Sequence, residues 1–396
     1  MSLGRIDFDT VIVRFGGEVG IKGEWTRRSY ERLLVKNIKK TLEYHSLNYD
    51  KIIYTRGRIY IKTGEAIEIC KKLSKVFGIS SLSPAVETSS NLDDIVEKTV
   101  SFAANVLSSK KTFAVRCRRV GVHPYSCMDV CRRVGQKILE SFPKLGLKVD
   151  LEKPDISFQI EVRDDKAFVF SDVIHGAGGF PLGSQPKLVC LLSGGIDSPV
   201  ACWLVMKRGA PIIPVYFDNS PFTDETTLER AVKTAKVLFE WAIGFPKELL
   251  VVPHGQNLLE IKEKCPEKLT CILCKRMMYR IAEKIAKKTG AEGIVTGESI
   301  GEQASQTLQN LRVLDEAVKE YPVYRPLIGL DKLEIEHMAK KIGTFEFSIE
   351  KAMSCRAVPR RPSTKAKLKV VLECEQSLDV DFIVNRSIEN IRSISC

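Results

Sequence analysis

The hydrophobic and polar positions follow two different patterns along the chain. In residues 1–173, alternating runs that predict strands are mixed with helical periods that predict packed helices. The order of these elements is compatible with a split βαβ unit followed by a second α+β unit. Predicted strands cover 8–15, 51–62, 111–118, 148–151, 157–163 and 166–173, and predicted helices cover 28–44, 66–77, 92–107 and 126–141.

The second half of the chain alternates strictly between strands and helices. It follows a glycine-rich linker at 175–185, where we expect the main domain boundary. Strands separated by helices of this length predict a doubly wound parallel sheet in an α/β fold, with helices on both faces. The predicted strands are 187–192, 211–217, 248–252 and 293–296, and the predicted helices are 199–207, 226–241, 275–288 and 333–341.

Charge is unevenly distributed between these halves. The chain of 396 residues has 61 Lys and Arg against 49 Asp and Glu, a net charge of +12. Residues 1–180 alone have 30 basic against 22 acidic residues, so this half carries +8. A basic excess of this kind favours a polyanionic partner. Since 44% of the residues are hydrophobic and 28% are charged, the composition excludes wholesale disorder.

The sequence has twelve cysteines, so their chemistry depends on whether the protein is in an oxidising or a reducing compartment. No window has about 18 uninterrupted apolar residues, and the opening MSLGRIDFDT does not resemble a signal peptide. We therefore expect no membrane association and a cytoplasmic location. The cytosol keeps thiols reduced, so a disulfide framework is not expected and the spacing of the cysteines has to indicate their roles.

The segment LLSGGIDS at 191–198 follows an apolar strand and leads into a helix. Gly194 and Gly195 allow close approach of an anion, the helix start offers free N–H groups, and Ser193 and Ser198 add hydroxyls. We predict Ser198 as the N-cap. The loop has no Walker-type lysine and resembles the PP-loop of ATP pyrophosphatases, in which Asp197 would help to position Mg²⁺ and pyrophosphate. A turn without a ligand is the alternative.

Further segments resemble the tRNA 4-thiouridine synthetase (ThiI) family along nearly the whole chain. The opening motif departs from the family at Gly17, where serine is frequent. The matching segments are RFGGEVGIKG at 14–23, FAVRCRR at 113–119, KPD at 153–155, GGFPLG at 178–183, CKRMM at 274–278, TGESIGEQASQTL at 296–308 and RPLIGLDK at 325–332.

This resemblance implies three domains and one reaction. The domains would be a ferredoxin-like domain at 1–69, a THUMP RNA-binding domain at 70–176 and a PP-loop ATP-pyrophosphatase domain at 177–396. With ATP and Mg²⁺, the enzyme would adenylate O4 of a uridine, at position 8 of tRNA in the family. Sulfur would then displace AMP to give 4-thiouridine, for which the base must leave its stack.

The resemblance also assigns roles to individual residues. Lys332 falls on a residue needed to activate the uridine, and it would act with Asp197 and Cys355 as the catalytic set. Without the motif, Lys332 would be interpreted as a solvated surface lysine. Beside the loop residues Ser193, Gly194, Gly195 and Ser198, the positions that correspond to ATP contacts are Leu191, Leu192, Tyr216, Phe217, Arg276, Gly297 and Gln306.

Three cysteines stand out by spacing and resemblance. Cys271 and Cys274 form a C-x-x-C pair, predicted just before a helix, and Cys355 lies in a segment similar to the family's catalytic-cysteine segment. Because the sequence ends soon afterwards, we expect no rhodanese domain. Relatives of this type imply a [4Fe-4S] or [3Fe-4S] cluster on the three cysteines with one iron left open. The alternatives are a redox dithiol with Cys355 as persulfide carrier, structural zinc, or inert thiols.

Basic residues in the THUMP-like half are the candidate tRNA contacts. On a strand, Arg116 and Arg118 share one face and would point to one phosphate track. Recognition would use mainly the shape and backbone of the RNA. The other candidates are Arg119, Arg132 and Arg133, and the alternative for each is a solvated face.

Other functions remain open at this point. A PP-loop enzyme that thiolates C2 of another tRNA base, an amide-forming PP-loop ligase and a non-catalytic tRNA-binding protein are the alternatives. The expected partners are tRNA and a sulfur donor, either a cysteine desulfurase or sulfide. The sequence does not fix the oligomeric state, so a homodimer is compatible with it.

Overall fold

The computed structural model describes residues 6–55 and 57–396. Its contacts divide the chain into two compact units, the first formed by Met1–Arg28 and Ile38–Gly179 and the second by Ser29–Asn37 and Phe180–Cys396. No helix within the described ranges is long and apolar enough to cross a membrane.

The first unit begins with a β-α-β-β-α-β arrangement. Its strands pair antiparallel in the order β2-β3-β1-β4, and helix α3 buries Ile69 and Leu73 against the sheet. The elements are β1 (Thr10–Phe15), α1 (Gly17–Gly20), α2 (Glu24–Tyr44), β2 (Lys51–Thr55), β3 (Arg58–Lys62), α3 (Ala66–Leu73) and β4 (Ile79–Ser89).

Strand β4 extends this sheet into a second α+β region. Its last residues pair with β8, and the order continues β8-β7-β5-β6, with β5 parallel to both β6 and β7. Helices α4 and α5 close a core around Phe102, Phe113 and Phe158. The elements are α4 (Leu92–Val106), β5 (Thr112–Val120), α5 (Cys127–Ser141), β6 (Lys148–Val149), β7 (Ile156–Arg163), β8 (Lys166–Phe170) and β9 (Ile174–His175).

The second unit contains a separate sheet in the order β14-β13-β10-β11-β12-β15. Strands β10 to β14 are parallel, and β15 joins the edge antiparallel. The elements are β10 (Leu188–Leu191), α6 (Asp197–Lys207), β11 (Ile212–Asp218), α7 (Glu225–Glu240), β12 (Glu248–Pro253), α8 (Gly255–Lys264), α9 (Thr270–Thr289), β13 (Ile294–Val295), α10 (Leu308–Asp315), β14 (Val323–Tyr324), α11 (Lys332–Ile342), α12 (Phe345–Ser348), α13 (Leu368–Glu375), α14 (Val380–Glu389) and β15 (Arg392–Ser395).

The structure corrects several predicted elements. The run at 51–62 is a hairpin of β2 and β3, while Ile79–Ser89, which was not predicted, is a central strand. Its serines and Pro84 mask the apolar alternation, and tertiary pairing on both edges overrides that weak local signal. Helix α9 begins at Thr270, so Cys271 lies inside the helix and not before it.

Candidate active site at the carboxyl edge of the parallel sheet

The glycine loop, residues 192–196, connects β10 to α6 at the carboxyl edge of the parallel strands. Helix α6 begins at Asp197 with Ile196 as its N-cap, so the prediction that Ser198 caps the helix is wrong. The Ser198 hydroxyl instead accepts a hydrogen bond from the Ser193 N–H at 2.9 Å and lies 3.0 Å from the Ser193 hydroxyl. Ser198 therefore holds the loop closed from inside the helix.

Glycine is required at two positions around this loop. Gly194 has a φ of +73°, and a Cβ there would lie 2.7 Å from the Ala231 backbone nitrogen. A Cβ on Gly297, which follows β13, would lie 2.7 Å from the Ser198 backbone nitrogen. The backbone after β13 thus packs directly against the start of α6. The structure brings Gly297 to the loop, although the two segments are far apart in the sequence.

An edge pocket of about 200 Å³ opens beside the loop. Its wall contains predicted ATP-contact residues together with residues that the sequence analysis missed. Asn219 Oδ1 is buried there without a hydrogen-bond partner among the described residues, so the pocket offers a free acceptor. The lining residues are Leu191, Leu192, Ser193, Val215, Tyr216, Phe217, Asn219, Thr223, Thr227 and Met278.

Apolar walls with a few polar groups suit a purine ring. Tyr216 is fixed by a hydrogen bond between its hydroxyl and that of Thr227 at 2.7 Å, and burial raises the pKa of Tyr216. Asn219 follows β11 directly and Thr223 lies in the same loop before α7, and that position after a parallel strand is the signal that could have identified them.

Lys332 forms an ion-pair cluster with two carboxylates. Its Nζ lies 2.8 Å from Asp197 Oδ1 and 2.6 Å from Glu302 Oε1. Burial raises the pKa of Asp197, and the Lys332 ammonium offsets only part of this shift. Burial alone would lower the pKa of Lys332, but the two carboxylates raise it. Two predicted catalytic residues therefore meet at the start of α6, and Glu302, not singled out from the sequence, joins them.

Arg276 lies in a different environment from the one expected. Its side chain is 0% exposed and donates hydrogen bonds to Glu375, Glu316 and the Val313 carbonyl oxygen. Both Glu375 oxygens are 2.8 Å from this guanidinium, and Arg280 pairs with the same carboxylate. The structure does not bring Arg276 to the edge pocket; its described contacts join α9 to α13 and to the end of α10.

A second buried ion cluster supports the segment after β13. Burial would raise the pKa of Glu298, but Lys275 and Arg325 outweigh it and lower the pKa to about 2. The Tyr279 hydroxyl donates to the same carboxylate at 2.6 Å. Nearby, Gln306 is buried and its Oε1 has no partner among the described residues, so this predicted ATP contact retains a free acceptor.

The α9 cysteine group consists of Cys271, Cys274 and Cys355. Burial raises the pKa of the Cys274 thiol, and the charges of Cys271 and Cys355 raise it further, so the three thiols are near neighbours. Cys274 and Cys355 also pack against the same core. In the part of the chain that the structure describes, no group of three or more His, Cys, Asp or Glu side chains has an arrangement that could hold a metal ion. The donor set itself, three soft sulfurs from two segments, has the chemistry that iron–sulfur clusters require.

His254 is the main site residue that the sequence analysis missed. It follows β12, is 0% exposed, and its Nε2 lies 3.4 Å from Cys274 Sγ. Its ring also packs edge-on against Phe217 of the edge pocket, with 5.4 Å between the ring centroids. Burial lowers the pKa of His254 to about 4. The signal in the sequence is a histidine directly after an apolar parallel strand.

In the first unit, the predicted RNA contacts are mainly at the surface of β5 and α5. Arg116 and Arg118 are exposed, while the intervening Cys117 is half-buried, so the two arginines share the outer face of β5. Arg116 donates to the Leu151 carbonyl oxygen, and Arg119 donates to that of His123. On α5, Arg132 and Arg133 are exposed, and Arg133 pairs with Asp93 at 2.6 Å.

These features define a class of protein first. A glycine loop that opens a helix at the carboxyl edge of a parallel sheet, beside an apolar pocket, is the arrangement typical of nucleotide sites in doubly wound α/β domains. Three family models match the chain in order: the ThiI ferredoxin-like domain at residues 10–83, the THUMP domain at 89–172 and thiamine biosynthesis protein (ThiI) at 183–380.

Individual relatives extend this match over nearly the whole chain. A probable tRNA sulfurtransferase of Methanobrevibacter smithii is 41% identical over 391 residues, covering 98% of this chain and 100% of the relative. One from Caldanaerobacter subterraneus subsp. tengcongensis is 42% identical over 391 residues, with the same two coverages. A crystal structure of a 4-thiouridine synthetase–RNA complex with bound ATP matches with a TM-score of 0.88, 34% identity, and coverages of 98% and 99%.

The chain therefore belongs to the ThiI family, as its motifs predicted. The expected domain order and fold class are confirmed by the same comparisons.

Proposed function

We propose that this protein is an ATP-dependent tRNA uracil 4-sulfurtransferase that acts in the cytoplasm. The observation that carries the proposal is the meeting of the glycine loop, the edge pocket and the Lys332–Asp197 pair at one edge of the sheet. The names of its relatives, probable tRNA sulfurtransferase and 4-thiouridine synthetase, support the same activity.

In the proposed first step, ATP occupies the edge pocket and the glycine loop. Leu192, Phe217 and Met278 would pack on the adenine, and the free Oδ1 of Asn219 would accept a hydrogen bond from its amino group. The N–H groups of the loop and of the start of α6 would hold the phosphates. Asp197 would hold the Mg²⁺, which neutralises pyrophosphate as it leaves.

The uridine would react next to the ion-pair cluster of Lys332, Asp197 and Glu302. Its O4 forms a bond to the α-phosphorus, the bond to pyrophosphate breaks and N3 loses its proton to solvent, so uridine becomes a neutral O4-adenylated base. When Asp197 binds Mg²⁺, the Lys332 ammonium is released from that carboxylate and can stabilise the negative charge that develops on the phosphoryl oxygens. Glu302 would keep Lys332 near the reacting atoms.

Sulfur transfer is proposed at the α9 cysteine group. Sulfur forms a bond to C4, and the bond from C4 to the adenylate oxygen breaks, which releases AMP and leaves 4-thiouridine. Cys271, Cys274 and Cys355 would hold an iron–sulfur cluster, which supplies an open iron for the incoming sulfur. The sulfur would come from sulfide, or from the persulfide of a cysteine desulfurase, whose outer sulfur two thiols would reduce to sulfide as they form a disulfide. The exposed Arg116, Arg118, Arg132 and Arg133 and the half-buried Arg119 would contact the tRNA backbone.

The test is anaerobic reconstitution with iron and sulfide, followed by reaction with unmodified tRNA, ATP, Mg²⁺ and sulfide. Mass spectrometry of the digested nucleosides should show 4-thiouridine in wild-type reactions and none when ATP is omitted. Iron and acid-labile sulfide are measured in the same preparation. Formation of 2-thiouridine, or no thiolated product, would contradict the proposed activity. Full activity of an iron-free protein would contradict only the cluster.

A further inference from the structure

His254 connects the two halves of the proposed reaction site. It stands after β12 at the start of α8, with its Nε2 at 3.4 Å from Cys274 Sγ and its ring against Phe217. The side chain is completely buried, so each polar atom of its ring has to find its partner within the protein. The partner of the other ring nitrogen, Nδ1, is Asn257 Nδ2 at 3.1 Å.

The orientation of the Asn257 amide is determined by its other contacts. Arg386, which can only donate, lies 2.7 Å from Asn257 Oδ1, so the amide oxygen faces the guanidinium. The Ser387 hydroxyl donates its one hydrogen to the Ile383 carbonyl oxygen at 2.8 Å. It therefore accepts from Asn257 Nδ2, at 2.9 Å. The remaining hydrogen of Nδ2 points to His254.

This orientation determines where the imidazole carries its proton. Nδ1 accepts from the amide of Asn257, so a proton on Nδ1 would set one N–H against another. The ring is consequently neutral, with its one hydrogen on Nε2, and that hydrogen faces Cys274 Sγ. Arg386 is itself held by Glu260 at 2.8 Å, which anchors the far end of the chain of contacts.

We propose that Arg386, Asn257 and His254 form a donor chain that places one N–H···S hydrogen bond on Cys274, with His254 as a positioning residue. The inference rests on the proposed role of Cys274 in binding the cluster. A thiolate in that role accepts the bond from Nε2, which fixes the side chain of Cys274 and withdraws electron density from its sulfur. Hydrogen bonds to the sulfurs are among the factors that set the potential of such clusters.

The first experiment examines the tautomer in the metal-free wild-type protein. Histidine is labelled with ¹⁵N, and the ring signals of His254 are assigned by their loss in His254→Gln. We expect hydrogen on Nε2 and none on Nδ1. In Asn257→Asp the new carboxylate accepts from Nδ1–H, so the hydrogen moves to Nδ1. A proton on Nδ1 in the wild-type protein would overturn the donor chain, whether or not the protein binds iron.

The second experiment compares reduction potentials after anaerobic reconstitution. His254→Leu removes the donor, so its potential should become more negative and thiolation should fall about 10- to 100-fold. His254→Gln keeps an N–H near the same position, so its reduction potential and its thiolation rate should both be close to those of the wild-type protein. His337→Gln, a change on the exposed face of α11, is the matched control. A His254→Leu protein with full iron content and an unchanged potential would refute the positioning role.

The two experiments separate this inference from the proposed function. A wild-type protein that binds no iron contradicts the cluster, while the nitrogen signals still show whether the donor chain exists. If iron binds and Nδ1 is protonated, the cluster stands and the donor chain is wrong.

Discussion

Two groups of three cysteines occur in different units of this protein. In the α5 group, Cys127 and Cys131 lie on one helix and Cys117 on strand β5; in the α9 group, Cys271 and Cys274 share a helix and Cys355 comes from a later loop. Burial raises the pKa of Cys117, and Cys127 raises it further, just as the members of the α9 group affect one another. By thiol proximity alone the two groups are alike.

Their surroundings separate them. Cys117 lies on the face of β5 opposite the exposed Arg116 and Arg118, and it packs against the core beneath α5. Cys274 lies beside His254 at the carboxyl edge of the parallel sheet, where the glycine loop and edge pocket also open. Thiol proximity therefore does not distinguish the groups; the α9 group also has His254 Nε2 at 3.4 Å from Cys274 Sγ and lies at the edge of the sheet where the edge pocket opens.

The sharpest test of this comparison exchanges one sulfur in each group for oxygen. We expect Cys355→Ser to lower 4-thiouridine formation more than about 10,000-fold, because it removes a group that would hold the sulfur-transfer centre. Cys131→Ser should leave the rate unchanged. Both variants are assayed on the same tRNA by nucleoside mass spectrometry. Similar decreases in 4-thiouridine formation in the two variants would show that the two cysteine groups do not differ in function.

Acid should weaken the structure around the α9 group. Glu298 and Glu375, which contact α9, ionise with a pKa of about 2, below their ordinary 4.5, because paired cations outweigh the effect of burial. Such a lowered pKa stabilises the fold above pH 4.5, and this stability is lost as the pH falls from 4.5 towards 2.

Each carboxylate accounts for about 3 kcal/mol of the free energy of unfolding at neutral pH. Urea denaturation at several pH values measures this loss. Glu375→Gln should reduce the pH dependence of the second unit, whereas Glu140→Gln, on the exposed end of α5, should not change it. A pH dependence that is the same in wild type and Glu375→Gln would show that the buried pair contributes nothing.

Mutations should separate the two proposed steps, adenylation of the uridine and transfer of sulfur to C4. Asp197→Asn is expected to reduce tRNA-dependent pyrophosphate release about 100-fold, because it removes the carboxylate proposed to hold Mg²⁺. Glu302→Gln keeps the shape of the side chain but removes one ion-pair partner of Lys332. We therefore expect a smaller decrease in pyrophosphate release than for Asp197→Asn. Cys355→Ser should still release pyrophosphate. If Asp197→Asn adenylated tRNA at the wild-type rate, the assignment of Asp197 would fail.

The smallest expected effect concerns the outer face of β5, which carries Arg116 and Arg118 on the side of the strand away from Cys117. Reversing charge in Arg116→Glu/Arg118→Glu should weaken tRNA binding about 10-fold and reduce the salt dependence of the affinity by about two counterions. Binding of ATP, measured by calorimetry, should not change. Lys284→Glu/Lys288→Glu, which reverses two exposed basic side chains on α9 in the other unit, is the control with the same change in net charge. If the control weakened tRNA binding as much as the arginine variant, the affinity would depend on the net charge of the protein and not on the outer face of β5.

Local signals predicted most of the framework. The strands and helices around the glycine loop, the linker at 175–185 and the shared face of Arg116 and Arg118 follow from periodicity and turn residues, which act over a few positions. Strand β4 was missed because its pairing on both edges decides its conformation. Arg276 was expected at the ATP site because the family resemblance assigned it there, and its carboxylate partners are too remote in the sequence for a local pattern to reveal them.

The sequence by itself determined the family, the order of the domains, the glycine loop and the three cysteines of the α9 group. Only the tertiary structure decided that Lys332 meets Asp197 across 135 positions, that Arg276 is enclosed by Glu316 and Glu375, and that His254 turns Nε2 towards Cys274. Loop and helix signals reside in neighbouring residues, so a pattern can reveal them. Ion pairs and hydrogen bonds depend on distances of about 3 Å between remote side chains, which exist only after the sheet has brought its strand ends together.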